Sequence, residues 1–221
     1  MTVITQRSSI DGLAIRKDFP VYQQPVSDGR LPLAFLDSAA SSQRPEIVID
    51  TVDDFYRRTN ANIHRGVYQL SEQATLRYEE ARQIVAEFIN AAQARECIFV
   101  RNTTEAINLV ASSWGRANLQ SGDRILLSVL EHHSNLVPWQ LIAEERGAVI
   151  DYIPLAGEQE LDMEAFETLL KNEPKLVAVA HVSNAVGTIN DVATIVQKAH
   201  AAGALVLIDG AQSVPHMPID V

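Results

Sequence analysis

From about residue 97 onward, short apolar runs alternate with longer segments of helical periodicity. The apolar runs are "CIFVR", "RILLSVL", "AVIDYIP", "LVAVAHV" and "ALVLID". Continuous runs of this kind are typical of strands that are covered by helices on both faces of a sheet. Between them, Gly147 suits a helix C-terminus and Asp162 suits a helix N-cap. This repetition predicts an α/β fold with a mostly parallel sheet and right-handed crossovers.

The first part of the chain is less regular. After an irregular start, Pro45 is well placed to open a helix that runs to about Arg58. A second helix is predicted over residues 71–90 because its apolar residues recur at helical spacing. The apolar stripe of this second helix consists of Ala81, Val85, Phe88 and Ile89.

Composition limits the possible classes of protein. The chain has 221 residues, of which 47% are hydrophobic, so a sizeable core can form. Its net charge of −10 provides no general attraction to nucleic acid or to anionic membranes, and we expect neither as a partner. No apolar run approaches the roughly 20 residues that cross a bilayer, and the N-terminus lacks the apolar core of a signal peptide. The single cysteine, Cys97, fits a reducing compartment. We therefore expect a cytoplasmic protein.

Polar clusters follow four of the predicted strands, where parallel α/β sheets bind their ligands. In "RNTTEAIN", Asn102 and Glu105 could form a capping box; alternatively, Thr103 and Thr104 could hold a phosphate at the start of a helix. In "EHHSN", adjacent histidines on an extended strand point to opposite faces, so we expect no metal shared between them. One histidine could lie over a planar ligand or shuttle protons; alternatively, one is buried and the other solvated.

The other two clusters contain an amide and a carboxylate. In "AHVSNAVGT", Asn184 could satisfy a loop backbone through an Asx-turn or could reach a substrate carboxylate or a ring oxygen. In "LIDGAQ", Asp209 could cap the following turn or could face a buried cation, with Gln212 close enough in sequence to contact the same ligand. The sequence lacks the glycine-rich nucleotide motifs, the G-x-S-x-G motif and zinc-type spacing, so those hypotheses lose their usual support.

One ligand, pyridoxal phosphate (PLP), accounts for all four clusters, since its phosphate, ring, ring nitrogen and ring oxygen each need a different partner. Six segments, in their order and length, resemble the class V aminotransferase family, specifically the SufS-type cysteine desulfurases and their selenocysteine lyase relatives. These segments are "LAFLDSAASSQRP", "NIHRGVYQLSEQAT", "RNTTEAINLVASSWG", "EHHSNLVPWQ", "HVSNAVGT" and "IDGAQSVPH". The resemblance implies fold type I of the PLP-dependent transferases. It also implies an N-terminal segment, 1–33, in a small domain or dimer arm, and an incomplete large cofactor domain over 34–221.

The resemblance assigns a role to each residue that matches the family pattern. Thr104, with Thr103 beside it, is expected to bind the phosphate of PLP. His132 is expected to stack on the pyridine ring and to take part in proton transfers as the catalytic residue. Asn184 is expected near the ring oxygen and the substrate carboxylate.

Four further residues match the family pattern. Asp209 is expected to pair with the protonated ring nitrogen and Gln212 to donate to the phenolic oxygen of PLP. The segment "HRG" places His64 and Arg65 near the mouth of the site and a dimer contact. The resemblance assigns no metal to this site.

The implied reaction releases sulfur from L-cysteine, leaving alanine and an enzyme persulfide that supplies sulfur for Fe–S cluster assembly. In the family, a lysine in an "SGHK" motif forms a Schiff base with PLP, and a cysteine of a C-terminal small domain is the nucleophile. The lysines present, Lys17, Lys171, Lys175 and Lys198, lie in other contexts, and Cys97 is predicted to open a core strand. We therefore expect an N-terminal part of such an enzyme, which alone binds PLP weakly and releases no sulfide.

The resemblance also implies partners. These are L-cysteine as substrate, a second copy of the chain in a homodimer, and a sulfur-acceptor protein of the Suf type. The alternative enzymes are a selenocysteine lyase or another class V member that acts at Cβ, such as a kynureninase-like enzyme. From a different class, the chain could be a non-catalytic fragment of this fold that acts through a partner.

Overall fold

The computed structural model describes residues 10–24, 33–157 and 159–221. The chain divides into two compact units, Met1–Gln83 and Ile84–Val221. Most of the predicted N-terminal segment, 1–33, lies outside the described residues, and its assignment to a small domain or dimer arm stays a prediction. Each helix within the described ranges is too short or too polar to cross a membrane.

The described parts of the first unit contain helices joined by irregular segments. The helices that begin in it are α1 (Gly12–Ile15), α2 (Glu46–Asp54) and α3 (Gln69–Phe88), with 3-10 turns at Arg16–Asp18 and Pro20–Gln23 and a π-helical turn at Phe55–Thr59. The last turn of α3, from Ile84 onward, belongs to the second unit. Pro45 precedes α2 in an extended conformation, which confirms the predicted helix start.

The apolar stripe predicted for α3 is not its buried face. Val85 is 37% exposed and Phe88 is 65% exposed, whereas Ala86 is 2% exposed. Helical periodicity identifies a face that is suited to packing, but burial also requires a neighbouring element at that face.

The second unit contains the sheet. Its strands are β1 (Arg124–Ser128), β2 (Val149–Ile153), β3 (Leu155–Ala156), β4 (Glu160–Leu161), β5 (Leu176–Ala180) and β6 (Leu205–Asp209). Its helices are α4 (Thr103–Val110), α5 (Arg116–Asn118), α6 (Val137–Arg146), α7 (Met163–Leu170) and α8 (Val192–Ala201), with 3-10 turns at Ala94–Glu96 and His133–Asn135 and a π-helical turn at Ala111–Gly115. The parallel sheet has the order β2-β1-β5-β6, while β3 and β4 form a short antiparallel pair. The α/β prediction is confirmed.

Alternate residues of each central strand pack on opposite faces of the sheet. In β1, Ile125 and Leu127 join a core that includes Trp139 of α6, whereas Leu126 joins a second core that includes Phe166 of α7. Helices α4 and α6 supply the first core, and α7 and α8 supply the second. The two-sided burial explains why these strands are continuously apolar, since both faces are removed from water.

The segment "CIFVR" is not a strand, contrary to the prediction. Cys97 has an extended backbone and is 7% exposed, whereas Ile98 is 72% exposed. A strand requires a ladder of hydrogen bonds with a neighbour, and the segment belongs to neither sheet of the described residues. Apolar content alone therefore did not identify the element correctly.

A glycine ends α6 as predicted. Gly147 adopts the left-handed conformation at φ 71°, and its N–H donates to the carbonyl of Ala143. A Cβ at this position would lie 3.0 Å from the hydroxyl oxygen of Ser121 and 3.2 Å from its Cβ. The site therefore combines a backbone that favours glycine with a close neighbour.

We predict that Gly147→Ala lowers the free energy of unfolding by about 1–2 kcal/mol, because a left-handed alanine is strained and also crowds Ser121. Gly203→Ala is the matched control, since Gly203 has φ +80° but no atom within 4 Å of the added Cβ. Urea denaturation of both variants should show the larger loss for Gly147→Ala. Equal losses would show that the contact with Ser121 contributes nothing.

Candidate active site

The carboxyl ends of β5 and β6 place a buried carboxylate at the edge of the sheet. Ala180 pairs with Asp209 in the parallel ladder, and the N–H of His181 donates to the Asp209 carbonyl at 3.0 Å. Asp209 is only 6% exposed, and its Oδ1 accepts the N–H of Ala211 at 3.0 Å. The turn-capping role considered for Asp209 is therefore present. A carboxylate at this depth is also a strong site for a cation.

A second carboxylate lies at the end of β1 in a dense hydrogen-bond network. Oε1 of Glu131 accepts the hydroxyl of Ser128 and, at 2.9 Å, the N–H of Ala180. Oε2 of Glu131 accepts the side-chain amide of Asn135 at 2.6 Å. The indole N–H of Trp139 in turn donates to Oδ1 of Asn135 at 2.9 Å. The network therefore joins β1, β5 and the start of α6.

Opposing effects act on the proton affinity of Glu131. Burial raises its pKa above the usual glutamate value and is the largest effect. Hydrogen bonds from Ser128, Ala180 and Asn135 lower the pKa, and the negative charge of Asp209 raises it. Since burial prevails, the net shift is upward. The geometric link between the two carboxylates is Ala180, which donates its N–H to Glu131 and pairs with Asp209 in the ladder.

The two adjacent histidines are both exposed, so the arrangement of one buried and one solvated histidine is not observed. Their ring centroids lie 6.1 Å apart, and the described residues contain no cluster of His, Cys, Asp or Glu suited to a metal. Nδ1 of His132 accepts the N–H of Ser134 at 3.1 Å. Nδ1 also lies 2.7 Å from the hydroxyl oxygen of Ser134. In the tautomer in which Nδ1 accepts both groups, the proton of the neutral ring is on Nε2.

The cap at the start of α4 has one of the two hydrogen bonds of the predicted capping box and a different second one. Oδ1 of Asn102 accepts the N–H of Glu105 at 2.9 Å, as expected. The carboxylate of Glu105 reaches back to the N–H of Arg101 at 2.6 Å rather than to that of Asn102. It also pairs with the Arg101 guanidinium at 3.0 Å.

The two candidate phosphate-binding threonines are the first two residues of α4. Thr103 is half-buried and Thr104 is exposed. N–H groups in the first turn of a helix have no intrahelical acceptor, so this position suits an anion. The 3-10 turn His133–Asn135 packs against both α4 and β5, which brings this helix toward the strand-end carboxylates.

The remaining strand-end candidates occupy turns. Asn184 is exposed, and the loop that follows β5 is held by the buried Ser183, whose hydroxyl accepts the N–H groups of Ala185 at 3.3 Å and Val186 at 3.4 Å. The loop-stabilising role considered for Asn184 is thus performed by Ser183. Gln212 is half-buried in the turn after β6.

His64 and Arg65 belong to the first unit and are both exposed. His64 has φ 69°, and its N–H donates to the hydroxyl of Thr75 at 2.9 Å. Its Nε2 lies 3.5 Å from a carboxylate oxygen of Glu79, and its ring meets that of Tyr78 edge-on at 5.5 Å. The role assigned to this pair at the mouth of the site stays a prediction.

Sequence reasoning missed the polar network around Glu131. The sequence does contain a signal for it, because Glu131, Asn135 and Trp139 are four positions apart and each bonds to the next. The carboxylate also follows directly on the apolar run "RILLSVL", where a charge is costly without partners. The contribution of Ala180 could not be found in this way, since it comes from the backbone of a distant strand.

The sheet, its two cores and the strand-end polar residues define an α/β protein with a candidate cofactor site. Residues 34–221 match the model of the aminotransferase class-V family. This match covers most of the chain, and the chain therefore belongs to the class V aminotransferase family.

Relatives with about half of their matched residues identical are named cysteine desulfurases. A probable cysteine desulfurase of Synechocystis is 50% identical over 207 residues, which cover 94% of this chain and 49% of that protein. The cysteine desulfurase of Dickeya dadantii is 51% identical over 207 residues, covering 94% of this chain and 50% of that protein. The chain thus spans about half the length of these curated relatives.

Solved structures give the same result for the fold. The apo cysteine desulfurase of Thermococcus onnurineus superimposes with a TM-score of 0.87 at 39% identity, covering 97% of this chain and 51% of that one. A cysteine desulfurase of Escherichia coli has a TM-score of 0.83 at 36% identity and covers 97% of this chain and 52% of that one. The fold expected from the resemblance, type I of the PLP-dependent transferases, is confirmed.

We predict that Glu131 titrates above the ordinary glutamate value of 4.5. Between that value and the raised pKa, the folded chain binds more protons than the unfolded chain. The contribution of Glu131 to the free energy of unfolding therefore falls as pH rises through this window. Carbon-13 NMR of the Glu131 carboxyl should record the titration.

Asp209→Asn should lower the pKa of Glu131, because it removes the negative charge that helps to raise it. Asp162→Asn, a change at the N-cap of α7, is the control and should leave the titration unchanged. A Glu131 carboxyl that titrates below 4.5 would contradict the dominance of burial.

Proposed function

We propose that this chain forms the cofactor-binding part of a cysteine desulfurase, which releases sulfur from L-cysteine with the aid of PLP. The observation that carries the proposal is the identity of about half of all residues with proteins of that name over 94% of the chain. In the overall reaction, the Cβ–S bond of L-cysteine breaks, Cβ gains a proton to give L-alanine, and the sulfur joins a cysteine thiol as a persulfide.

The buried carboxylate supports PLP as the cofactor. Asp209 is 6% exposed at the end of β6, where the desolvated charge favours a cationic partner such as a protonated ring nitrogen. When bound, PLP supplies an electron-withdrawing pyridinium ring. The role of Asp209 is to keep the proton on the ring nitrogen, since a nearby negative charge favours the protonated form.

The start of α4 supports binding of a phosphate. Thr103 and Thr104 each offer a hydroxyl and a first-turn N–H group, and the helix dipole favours an anion at this end. Asn102 and Glu105 already cap the helix through another N–H, so the capping interaction and a phosphate use different donors.

The exposed histidine and the two amides complete the proposed set. His132 is exposed, and its Nδ1 accepts the N–H of Ser134, which suits a residue that stacks on a cofactor and transfers protons through Nε2. We assign the side chain of Gln212 to the phenolic oxygen of PLP and that of Asn184 to the substrate carboxylate or ring oxygen. Both residues follow strands whose carboxyl ends lie side by side in the sheet.

The persulfide is assigned to a cysteine other than Cys97. Cys97 is 7% exposed, so its thiol is shielded from a substrate. We likewise assign the lysine that holds PLP to a part of the protein outside this chain. The lysines of "LLKNEPK" and "VQKAH" lie in other sequence contexts.

The partners and the location are part of the same proposal. We propose that the complete enzyme is a homodimer that passes its sulfur to a Suf-type acceptor protein. His64 and Arg65 are assigned to the mouth of the site and the dimer contact. A cytoplasmic location is supported by the single cysteine of the chain, which fits a reducing compartment.

We predict that the protein carrying this chain releases sulfide from L-cysteine only when loaded with PLP, and that Asp209→Ala lowers this rate at least about 100-fold. The reason is that the variant lacks the negative charge of Asp209, which keeps the ring nitrogen of PLP protonated. Sulfide release and the absorbance of bound PLP are the two measurements. Asp162→Ala, which removes a carboxylate from the N-cap of α7, is the control and should retain both.

Two results would contradict the proposal. One is an unloaded protein that releases sulfide as fast as the loaded one. The other is an Asp209→Ala variant with normal absorbance of bound PLP and a normal rate.

A further inference from the structure

Glu131 joins three elements at the edge of the candidate site. Ser128 lies at the end of β1, Ala180 lies at the end of β5, and Asn135 lies in the turn before α6. Ala180 is also the partner of Asp209 in the ladder between β5 and β6. A single side chain thus connects the end of β5, which lies beside Asp209, with the turn that begins at His132.

The hydrogen-bond partners of Glu131 require an acceptor at both oxygen positions of its side chain. The indole N–H of Trp139 is a donor only, so it fixes Oδ1 of Asn135 toward Trp139 and the amide NH₂ toward Glu131. The backbone N–H of Ala180 is also a donor only. Each carboxylate oxygen of Glu131 therefore faces a group that can only donate. Glutamine, which has one NH₂ in place of an oxygen, would set two donors against each other.

The same hydrogen bonds close the backbone of residues 131–135 into a tight loop that contains His132. Glu131 and Asn135 are linked at 2.6 Å, so the two ends of the five-residue segment 131–135 are tied together. Inside this segment Ser134 and Asn135 are 8% and 0% exposed, while the ring of His132 is exposed. The buried residues therefore hold the turn, and His132 is the part that projects from it.

We propose that Glu131 is a positioning residue, which fastens the turn carrying His132 to the end of β5, directly beside the strand end that carries Asp209. It acts through Asn135, Ser128 and the backbone of Ala180. This inference rests on the proposed function, because that function gives His132 and Asp209 a common ligand. It concerns the chain itself, however, and can be tested in the absence of PLP.

The experiment exploits the directions of the hydrogen bonds. Glu131→Gln sets an NH₂ group against the NH₂ of Asn135 or the N–H of Ala180. Asn135→Asp alone sets two carboxylates against each other. The double variant Glu131→Gln with Asn135→Asp restores the pairing, because the new carboxylate at position 135 accepts both from the new amide at position 131 and from the indole of Trp139. The net charge of the double variant equals that of the wild type.

Leu170→Ala is the matched control for lost stability. Leu170 is 7% exposed in the core on the opposite face of the sheet from Trp139, so its truncation destabilises the second unit without touching the Glu131 network. Any change that merely follows from lower stability should appear in this variant as well.

Nitrogen-15 NMR supplies a readout that lower stability does not move. The indole N–H resonance of Trp139 reports its bond to Asn135, and Trp139 is one of two tryptophans. The ring nitrogens of His132 report whether Nδ1 still accepts the N–H of Ser134. We expect both signals to shift in each single variant, to return in the double variant and to stay unchanged in Leu170→Ala.

PLP binding is measured separately, by absorbance, with the same substitutions made in the protein that carries this chain. We expect the dissociation constant of PLP to rise about tenfold in Glu131→Gln, which is the effect of losing one hydrogen bond. The double variant restores this hydrogen bond and should recover the wild-type dissociation constant. Failure of the wild type to bind PLP would count against the proposed function alone, since the NMR result does not depend on it.

Two outcomes would overturn the inference itself. One is a Glu131→Gln variant whose His132 signals and PLP affinity equal those of the wild type. The other is a double variant in which the Trp139 signal returns but the His132 signals do not. That pattern would show that the network holds α6 in place without positioning His132.

Discussion

The parallel pairing of β5 with β6 is the constraint on which the candidate site depends. Its register sets Ala180 beside Asp209, so the end of one strand is fixed next to the carboxylate of the other. The same Ala180 offers its N–H to Glu131, which extends the arrangement to β1. A shift of one residue in this register would turn Asp209 to the other face of the sheet and separate the three groups.

The core supports this register through the alternation of side chains in the central strands. Leu176 and Ala178 of β5 pack under α4 and α6, whereas Val177 and Val179 pack under α7 and α8. The strand register is therefore fixed by burial on both faces of the sheet. A shift of one residue would move the side chains that fill one core into the other. The precision of the polar groups at the strand ends derives from this two-sided packing.

The sequence predicted the regular elements of the second unit well and the buried polar contacts poorly. Strands β1, β2, β5 and β6 and their helices follow from local periodicity, and the caps at Asp162 and Gly147 follow from residue chemistry. The segment "CIFVR" failed because a strand also needs a partner, which periodicity does not supply. The role of Ser183 in the loop after β5, and that of Glu131, depend on groups brought together by tertiary structure. The residues expected to bind PLP came from resemblance, and local pattern alone left each of them with an ordinary structural alternative.

Trp139 belongs to two systems at once. Its ring is fully buried in the hydrophobic core under α6, and its N–H is the first donor in the polar chain that ends at Glu131. A substitution of Trp139 therefore changes the packing of the hydrophobic core and the hydrogen bonding of the candidate site together. Repacking this core to raise stability would therefore also alter the candidate site, although the substituted side chain is fully buried.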